Sequence, residues 1–310
     1  MTAFLFPGQG AQRPNMLRQL PSEEIITETF SEMSEAIGQD ILTLDSGAAQ
    51  ESTIATQLGL LAAGVAMARY LQSQDAEPSV VLGMSVGAFA AAVTANVLSL
   101  ADAAVLVKER AKWMQSLFPT GYGMAAIVGL NEAQVRRIVD RVSSIAAPVF
   151  VTNINADRQI VAAGARVALT QLIEQALCQG AQRADLLNVS VPSHCDLLKP
   201  VASKLTDLLT QISIRPPKCV YISNVNARPL RSAQGVAIDL AQNIAHGVRW
   251  NDATQVAVEL GCKLFLEMPP GHALTDLLHQ SHPSVDAFAA TPINLQRCLR
   301  LARMPSSEGV

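Results

Sequence analysis

The stretch VVLGMSVGAFAAAV, residues 80–93, contains the clearest structural signal in this sequence. An apolar run ends at Gly83, and the small residues that follow Gly87 predict a helix. The segment GMSVG matches G-x-S-x-G, a pattern in which a sharp strand-to-helix turn lifts a serine hydroxyl out of a sheet. The N-terminus of the helix also favours negative charge beside that serine. The pattern makes Ser85 a candidate nucleophile; the alternative is an ordinary turn that happens to contain a serine.

Short apolar runs and helical patterns alternate along the rest of the chain. The predicted strands include residues 3–6, 79–84, 220–226 and 263–268. The predicted helices include residues 54–71, 100–118 and 248–261. Alternation of this kind is typical of an α/β protein with a parallel sheet and helices on both of its faces.

The middle of the chain has an element order of its own. Strands are predicted over 123–130, over the two halves of 148–164 and over 184–191, with helices over 131–144 and 165–180. This β-α-β-β-α-β order is the ferredoxin-like arrangement. It predicts a small subdomain of residues 122–190, inserted into a larger body of residues 1–121 and 191–310.

Composition excludes several classes of protein. Of the 310 residues, 49% are hydrophobic and 16% are charged, which indicates a well-buried core, and the net charge of −3 argues against nucleic-acid binding. The N-terminus lacks the pattern of a signal peptide, and no apolar run reaches the roughly 18 residues of a membrane span. Five scattered cysteines, without metal-ligand spacing, point to the reducing cytoplasm and to no metal site.

Three further segments contain candidate functional residues. The loop FPGQGAQ, residues 6–12, could direct backbone N–H groups towards a ligand. His194, in VSVPSHCDLLKP, follows a predicted strand, and the ends of strands are where α/β sheets place active sites. Arg110 lies on the predicted helix 100–118. Taken singly, each has a purely structural alternative: a glycine-rich turn, a packed histidine and a solvated helix face.

The order of these motifs along the chain resembles the malonyl-CoA:acyl carrier protein transacylase family. FPGQGAQ comes first, followed by GMSVG, then an Arg-x-x-x-Met-Gln segment, then VPSH near residue 194 and EMPPGHAL near residue 270. The resemblance covers roughly residues 3–280. It implies an α/β-hydrolase-like body with an inserted ferredoxin-like subdomain, in agreement with the predicted element order.

The resemblance also implies a catalytic apparatus. Ser85 would be the nucleophile and His194 its base, with the backbone carbonyl of Arg249 orienting the imidazole in place of an acidic residue. The backbone N–H groups of Gln9 and Val86 would form the oxyanion hole.

The same resemblance implies a substrate. Arg110 would bind the free carboxylate of a malonyl group, since a guanidinium pairs with a carboxylate through two parallel hydrogen bonds. Four further residues would line the pocket: Gln57, Met84, Asn155 and Ser193. The donor would be malonyl-CoA, the acceptor a phosphopantetheine-type thiol on an acyl carrier protein, and no cofactor or metal would be bound.

Several positions distinguish this chain from most of that family. Met84 stands where histidine is usual, Leu58 where proline is usual and Pro269 where glycine is usual. With the segments GAQRPNML, TQLGLLAAGVAMA and FPTGYGMAAIVGL, they favour the malonyltransferase (epsilon) subunit of malonate decarboxylase. Its acceptor would be the carrier subunit of that complex, which bears a phosphoribosyl-dephospho-CoA thiol.

Three alternatives stay open on the sequence alone. The first is a malonyl-CoA:acyl carrier protein transacylase of fatty acid or polyketide synthesis, which shares the chemistry and differs in the acceptor. The second is a serine hydrolase or thioesterase, in which water is the acceptor. The third is a non-catalytic scaffold that retains the fold.

Overall fold

The computed structural model of the chain describes residues 1–118, 120–189 and 191–303. The strands are β1 (Thr2–Phe6), β2 (Val80–Gly83), β3 (Tyr122–Val128), β4 (Val149–Ala156), β5 (Gln159–Ala165), β6 (Arg183–Leu186), β7 (Val220–Ile222), β8 (Pro229–Leu230), β9 (Leu264–Glu267) and β10 (Asp286–Ala289). The α-helices are α1 (Glu24–Ile37), α2 (Thr53–Ser73), α3 (Gly87–Thr94), α4 (Leu100–Leu117), α5 (Glu132–Val142), α6 (Arg166–Cys178), α7 (Lys199–Leu209), α8 (Ala233–Gln242), α9 (Trp250–Glu259), α10 (Ala273–Ser281) and α11 (Leu295–Arg303).

The larger sheet has the strand order β10-β9-β1-β2-β7-β8. Neighbouring strands are parallel except at the edge, where β8 runs antiparallel to β7. Strands covered on both faces read as continuous apolar runs, and Phe4, Leu5 and Phe6 of β1 are accordingly buried. The predicted fold class, an α/β protein with a parallel sheet, is confirmed.

Helix α2 lies in the core of this body. Its length and apolar composition would suit a membrane span, but 89% of its apolar window is buried inside the protein. The sequence prediction of a buried helix over residues 54–71 is therefore confirmed.

The smaller sheet is antiparallel throughout and has the strand order β4-β5-β3-β6. With α5 and α6 between its strands, this is the predicted ferredoxin-like arrangement. The strand predicted over 184–191 is shorter than expected, because β6 pairs with β3 only as far as Leu186. The predicted limits at residues 190 and 310 lie outside the described residues, and the division of the chain at these boundaries stays a prediction.

The smaller sheet is joined to the body beside Val248. The Ile154 N–H donates to the Val248 carbonyl at 2.9 Å, and the Val248 N–H donates to the Thr152 carbonyl at 2.7 Å. Next to this pairing, Arg249 of the body forms an ion pair of 3.0 Å with Glu132 of α5. These contacts hold β4 against the body on one side of the sheet edge where Ser85 lies.

The turn between β2 and α3 is tightly packed, and two of its glycines are required by space. A Cβ on Gly83 would lie 2.2 Å from the Gly87 carbonyl carbon, and a Cβ on Gly87 would lie 2.2 Å from the Phe6 carbonyl oxygen. No side chain fits at such distances, so the G-x-S-x-G pattern follows from the close approach of helix and strand.

Candidate active site

Ser85 occupies the turn that its sequence pattern predicts. It lies two residues after β2, and its backbone is left-handed, with φ of 55°. Its side chain is partly buried and faces a cleft between the body and the smaller sheet. A left-handed serine is unusual and places the hydroxyl above the end of the strand, where a substrate can reach it.

His194 contacts Ser85 although 109 positions separate them. Its Nε2 lies 2.8 Å from the Ser85 Oγ, and its Nδ1 lies 2.6 Å from the backbone carbonyl oxygen of Asn243. Because a carbonyl can only accept, Nδ1 is the protonated nitrogen and Nε2 is free to accept the serine proton. The pair therefore has the geometry of a nucleophile and its general base.

The sequence suggested that His194 follows a strand, but the structure shows that it does not. It lies in an irregular segment with φ of 66°, and its N–H donates to the Ile244 carbonyl at 2.8 Å. The smaller sheet ends eight residues earlier, at Leu186. A contact with the 243–245 segment, rather than the end of a strand, therefore positions the imidazole.

The sequence-based assignment of the Arg249 carbonyl to His194 is wrong. That carbonyl accepts the Ala253 N–H at 2.9 Å, because Arg249 immediately precedes α9 and its oxygen takes the first helical hydrogen bond. The Arg249 side chain is bound to Glu132 and Asp252. Asn243 supplies the carbonyl instead, and no side-chain pattern could reveal it, since every residue has a carbonyl.

The imidazole is held in its neutral form. Burial and, to a smaller extent, the positive charge of Arg110 together lower the pKa of His194 to about 4, although hydrogen bonds to backbone groups oppose both effects. A neutral imidazole at neutral pH is what a general base requires.

Arg110 is fully buried beside the nucleophile. Its Nη2 donates to the Ser85 Oγ at 3.1 Å and its Nη1 donates to the Gln57 Oε1 at 2.6 Å. Its Nε has no hydrogen-bond partner among the described residues. No carboxylate among those residues forms an ion pair with the Arg110 guanidinium. Burial lowers the pKa of Arg110 to about 9, which still leaves it charged at neutral pH. Ser85 therefore lies beside a buried cation that has no carboxylate partner among the described residues.

Two backbone N–H groups beside Ser85 are unused. Within the described part of the chain, neither the Gln9 N–H nor the Val86 N–H donates a hydrogen bond. Gln9 lies three residues after β1 and Val86 lies three residues after β2, and these two strands are adjacent and parallel. Their positions suit an oxyanion hole, the role that the family resemblance implies for them.

The cleft encloses about 120 Å³ and is lined from both parts of the chain. Its lining includes all four residues suggested from the sequence: Gln57, Met84, Asn155 and Ser193. It also includes residues that sequence reasoning missed, among them Met114, Met124 and Asn153. The buried Oδ1 atoms of Asn153 and Asn155 have no hydrogen-bond partner among the described residues, so they are free to accept from a ligand.

This arrangement supports acyl transfer through a covalent serine intermediate. A family model described as an acyl transferase domain matches residues 3–296. The chain belongs to this family. The predicted family and the predicted acyltransferase activity are thereby confirmed.

Named relatives of this acyltransferase cover nearly its whole length. The malonyl CoA-acyl carrier protein transacylase of Salmonella typhimurium is 36% identical over 306 residues, which are 97% of this chain and 98% of the relative. The solved transacylase of that name from Coxiella burnetii has a TM-score of 0.91 and 33% identity, and covers 97% of this chain and 96% of its own.

A second similar structure contains a partner. It is a type II PKS acyl-carrier protein in complex with its malonyl-transacylase, with a TM-score of 0.92 and 34% identity. The match covers 97% of this acyltransferase and 99% of that chain.

We predict that Ser85 stays reactive in mild acid. Because the pKa of His194 is lowered to about 4, the base stays neutral far below the usual histidine pKa of about 6.5. The rate at which a fluorophosphonate probe labels Ser85 should change little from pH 7 to pH 5 and fall to half near pH 4.

Two controls accompany that measurement. Ser85→Ala gives the background labelling, and circular dichroism identifies the pH values at which the protein is folded. The second control is needed because a histidine buried in its neutral form makes folding less favourable as the pH falls from 6.5 towards 4. A half-maximal rate at pH 6.5 in the folded protein would contradict the assigned environment of His194.

Proposed function

We propose that this acyltransferase moves a malonyl group from malonyl-CoA to the thiol of an acyl carrier protein. The observation on which the proposal rests is the buried Arg110 guanidinium, 3.1 Å from the Ser85 Oγ and without a carboxylate partner among the described residues. A buried charge needs a partner, and a malonyl group bound to Ser85 would bring a carboxylate to it. A bidentate pair would also fix the orientation of the acyl group.

The first half-reaction acylates the serine. The His194 Nε2 accepts the Oγ proton as Oγ attacks the thioester carbonyl, and the N–H groups of Gln9 and Val86 bind the oxyanion that forms. Loss of one such donor costs about 3 kcal/mol in comparable enzymes. The tetrahedral intermediate then expels the CoA sulfur, which takes the proton from His194, and malonyl-Ser85 remains.

The second half-reaction is the reverse with a different thiol. The carrier thiol gives its proton to His194 and attacks the malonyl-serine carbonyl. Oγ leaves and recovers the proton, and the malonyl thioester of the carrier is released. The Asn243 carbonyl, 2.6 Å from Nδ1, stabilises the imidazolium that forms in each half-reaction.

Selection of the acyl group follows from the same buried charge. An acetyl group has no carboxylate and would leave Arg110 buried and unpaired while it displaced water from the cleft. The Arg110 guanidinium is fully buried, so bulk water would not replace the missing carboxylate. Donors with a terminal carboxylate on a short acyl chain should therefore react preferentially.

The acceptor we propose is the phosphopantetheine thiol of an acyl carrier protein. The relatives reported above are named malonyl CoA-acyl carrier protein transacylases, and one similar structure contains a type II PKS acyl-carrier protein. They favour the transacylase alternative over the epsilon subunit of malonate decarboxylase, which the departures at Met84 and Leu58 suggested. Those departures leave the proposed roles of Ser85, His194 and Arg110 unchanged.

We predict that Arg110→Ala changes the choice of donor. Removing one partner of a buried charge pair costs about 2–5 kcal/mol, so kcat/KM for malonyl-CoA should fall by about 100-fold or more. The kcat/KM for acetyl-CoA should fall far less, since an acetyl group makes no ion pair with Arg110. Lys112→Ala, an exposed residue on the same helix, is the matched control and should leave both values unchanged. Equal losses for the two donors would rule out Arg110 as the carboxylate-binding residue.

We also predict that the acyl group passes to a carrier thiol faster than to water. Enzyme loaded with radiolabelled malonyl should transfer the label to a holo acyl carrier protein, and lose it slowly to buffer or to the apo carrier, which has no thiol. Loss at one rate under all three conditions would identify a hydrolase. Faster transfer to a carrier bearing phosphoribosyl-dephospho-CoA would restore the malonate decarboxylase assignment.

A further inference from the structure

The backbone conformation of Ser85 needs support from outside its own turn. Its φ of 55° lies in the left-handed region, which residues other than glycine rarely adopt. Such conformations persist at active sites only where the surrounding structure imposes them. The contacts of the Ser85 backbone therefore identify the residues that keep the nucleophile in position.

One of these contacts is with the side chain of Asn224. Its Oδ1 accepts the Ser85 N–H at 3.0 Å, and the residue is 4% exposed. Asn224 lies two residues after β7, which pairs in parallel with β2. Because parallel strands end at the same edge of a sheet, the turn after β7 lies directly beside the turn that contains Ser85.

Asn224 is itself held at both of its backbone groups. Its N–H donates to the Asp239 Oδ2 at 3.3 Å, and its carbonyl accepts the Arg249 N–H at 2.8 Å. With the backbone fixed in two directions, the short side chain has little freedom to move away from Ser85.

Asp239 explains the rigidity of this turn. Its carboxylate, on α8, is 4% exposed and accepts the Tyr221 hydroxyl at 2.8 Å and the Val225 N–H at 3.3 Å. The Ser223 hydroxyl also donates to it. Burial raises the pKa of Asp239, whereas these donors lower it. The carboxylate has no hydrogen bond to His194 among the described residues, so it acts on the turn and not on the base.

We propose that Asn224 is a positioning residue that fixes Ser85 in its reactive backbone conformation, and that Asp239 holds Asn224 in place. The role concerns the nucleophile and does not depend on which acyl group is transferred. Loss of the Asn224 acceptor would leave the Ser85 N–H unsatisfied and allow the turn to relax. The hydroxyl would then move away from His194 and from the oxyanion hole.

The test compares Asn224→Leu with Ser223→Ala in the full-length protein. Leucine resembles asparagine in size but cannot accept the Ser85 N–H. Ser223→Ala removes the hydroxyl that donates to Asp239 and accepts the Val225 and Asn226 N–H groups. It leaves the bonds of Asn224 to Ser85 and to Asp239 in place. The readouts are the maximal rate and the half-saturating concentration for labelling of Ser85 by a fluorophosphonate probe, which has no malonyl group.

We expect Asn224→Leu to lower the maximal labelling rate by about 100-fold, with the half-saturating concentration nearly unchanged, since misplacement of a reacting atom by about 1 Å has that effect. Ser223→Ala should lower the melting temperature and leave labelling within about three-fold of the unaltered protein. The pH at which labelling falls should be the same in all folded variants, because Asn224 does not contact the imidazole.

Two results would overturn the proposal. One is that folded Asn224→Leu is labelled at a maximal rate within about three-fold of that of the unaltered protein. The other is Ser223→Ala that slows labelling as much as Asn224→Leu, which would make the effect one of general stability. If Asn224→Leu does not fold, Asn224→Ser replaces it, because its shorter side chain also loses the contact with the Ser85 N–H. The same two results would then overturn the proposal.

Discussion

The buried charge of Arg110 is the constraint on which the rest of the site depends. Transfer of a guanidinium from water into a protein interior costs roughly several kcal/mol unless an anion neutralises it. Arg110 is fully buried, is bound to the neutral Gln57 Oε1 and Ser85 Oγ, and has an unpartnered Nε. Because the described residues provide no carboxylate for it, we propose that the counter-ion comes with the substrate. The free-energy cost of burying a cation would then favour an acyl group that carries a carboxylate.

The fold brings three distant segments together. The end of β2 leads to the proposed nucleophile, helix α4 contains Arg110, and the segment before α7 contains the proposed base. The smaller sheet closes the cleft from the other side through Asn153 and Asn155, and β4 is joined to the body at Val248. The carbonyl that orients His194 lies five residues before that joint. Displacement of the smaller sheet would therefore disturb both the walls of the cleft and the base.

Side-chain patterns made part of this site predictable. The strand-turn-helix around Ser85 has sequence requirements that few other structures share, since Gly83 and Gly87 leave no room for a Cβ. One backbone role was assigned wrongly: the carbonyl partner of His194 was assigned to Arg249 and belongs to Asn243. Strands β8 and β10 and helices α1, α7, α8 and α10 were also not assigned, because their short or mixed patterns acquire meaning only when they pack against the sheet. Asn224 was missed because its partner, the Ser85 N–H, lies 139 positions away in the sequence.

A structure of the acylated protein tests the central claim most directly. The unaltered protein loaded with malonyl-CoA and then freed of CoA has no acceptor thiol, so it could be crystallised with malonyl on Ser85. We predict that the Arg110 guanidinium releases the Ser85 Oγ and forms two parallel hydrogen bonds to the malonyl carboxylate. A malonyl carboxylate directed to solvent, with Arg110 still bound to Oγ, would contradict the conclusion that the buried charge selects the substrate.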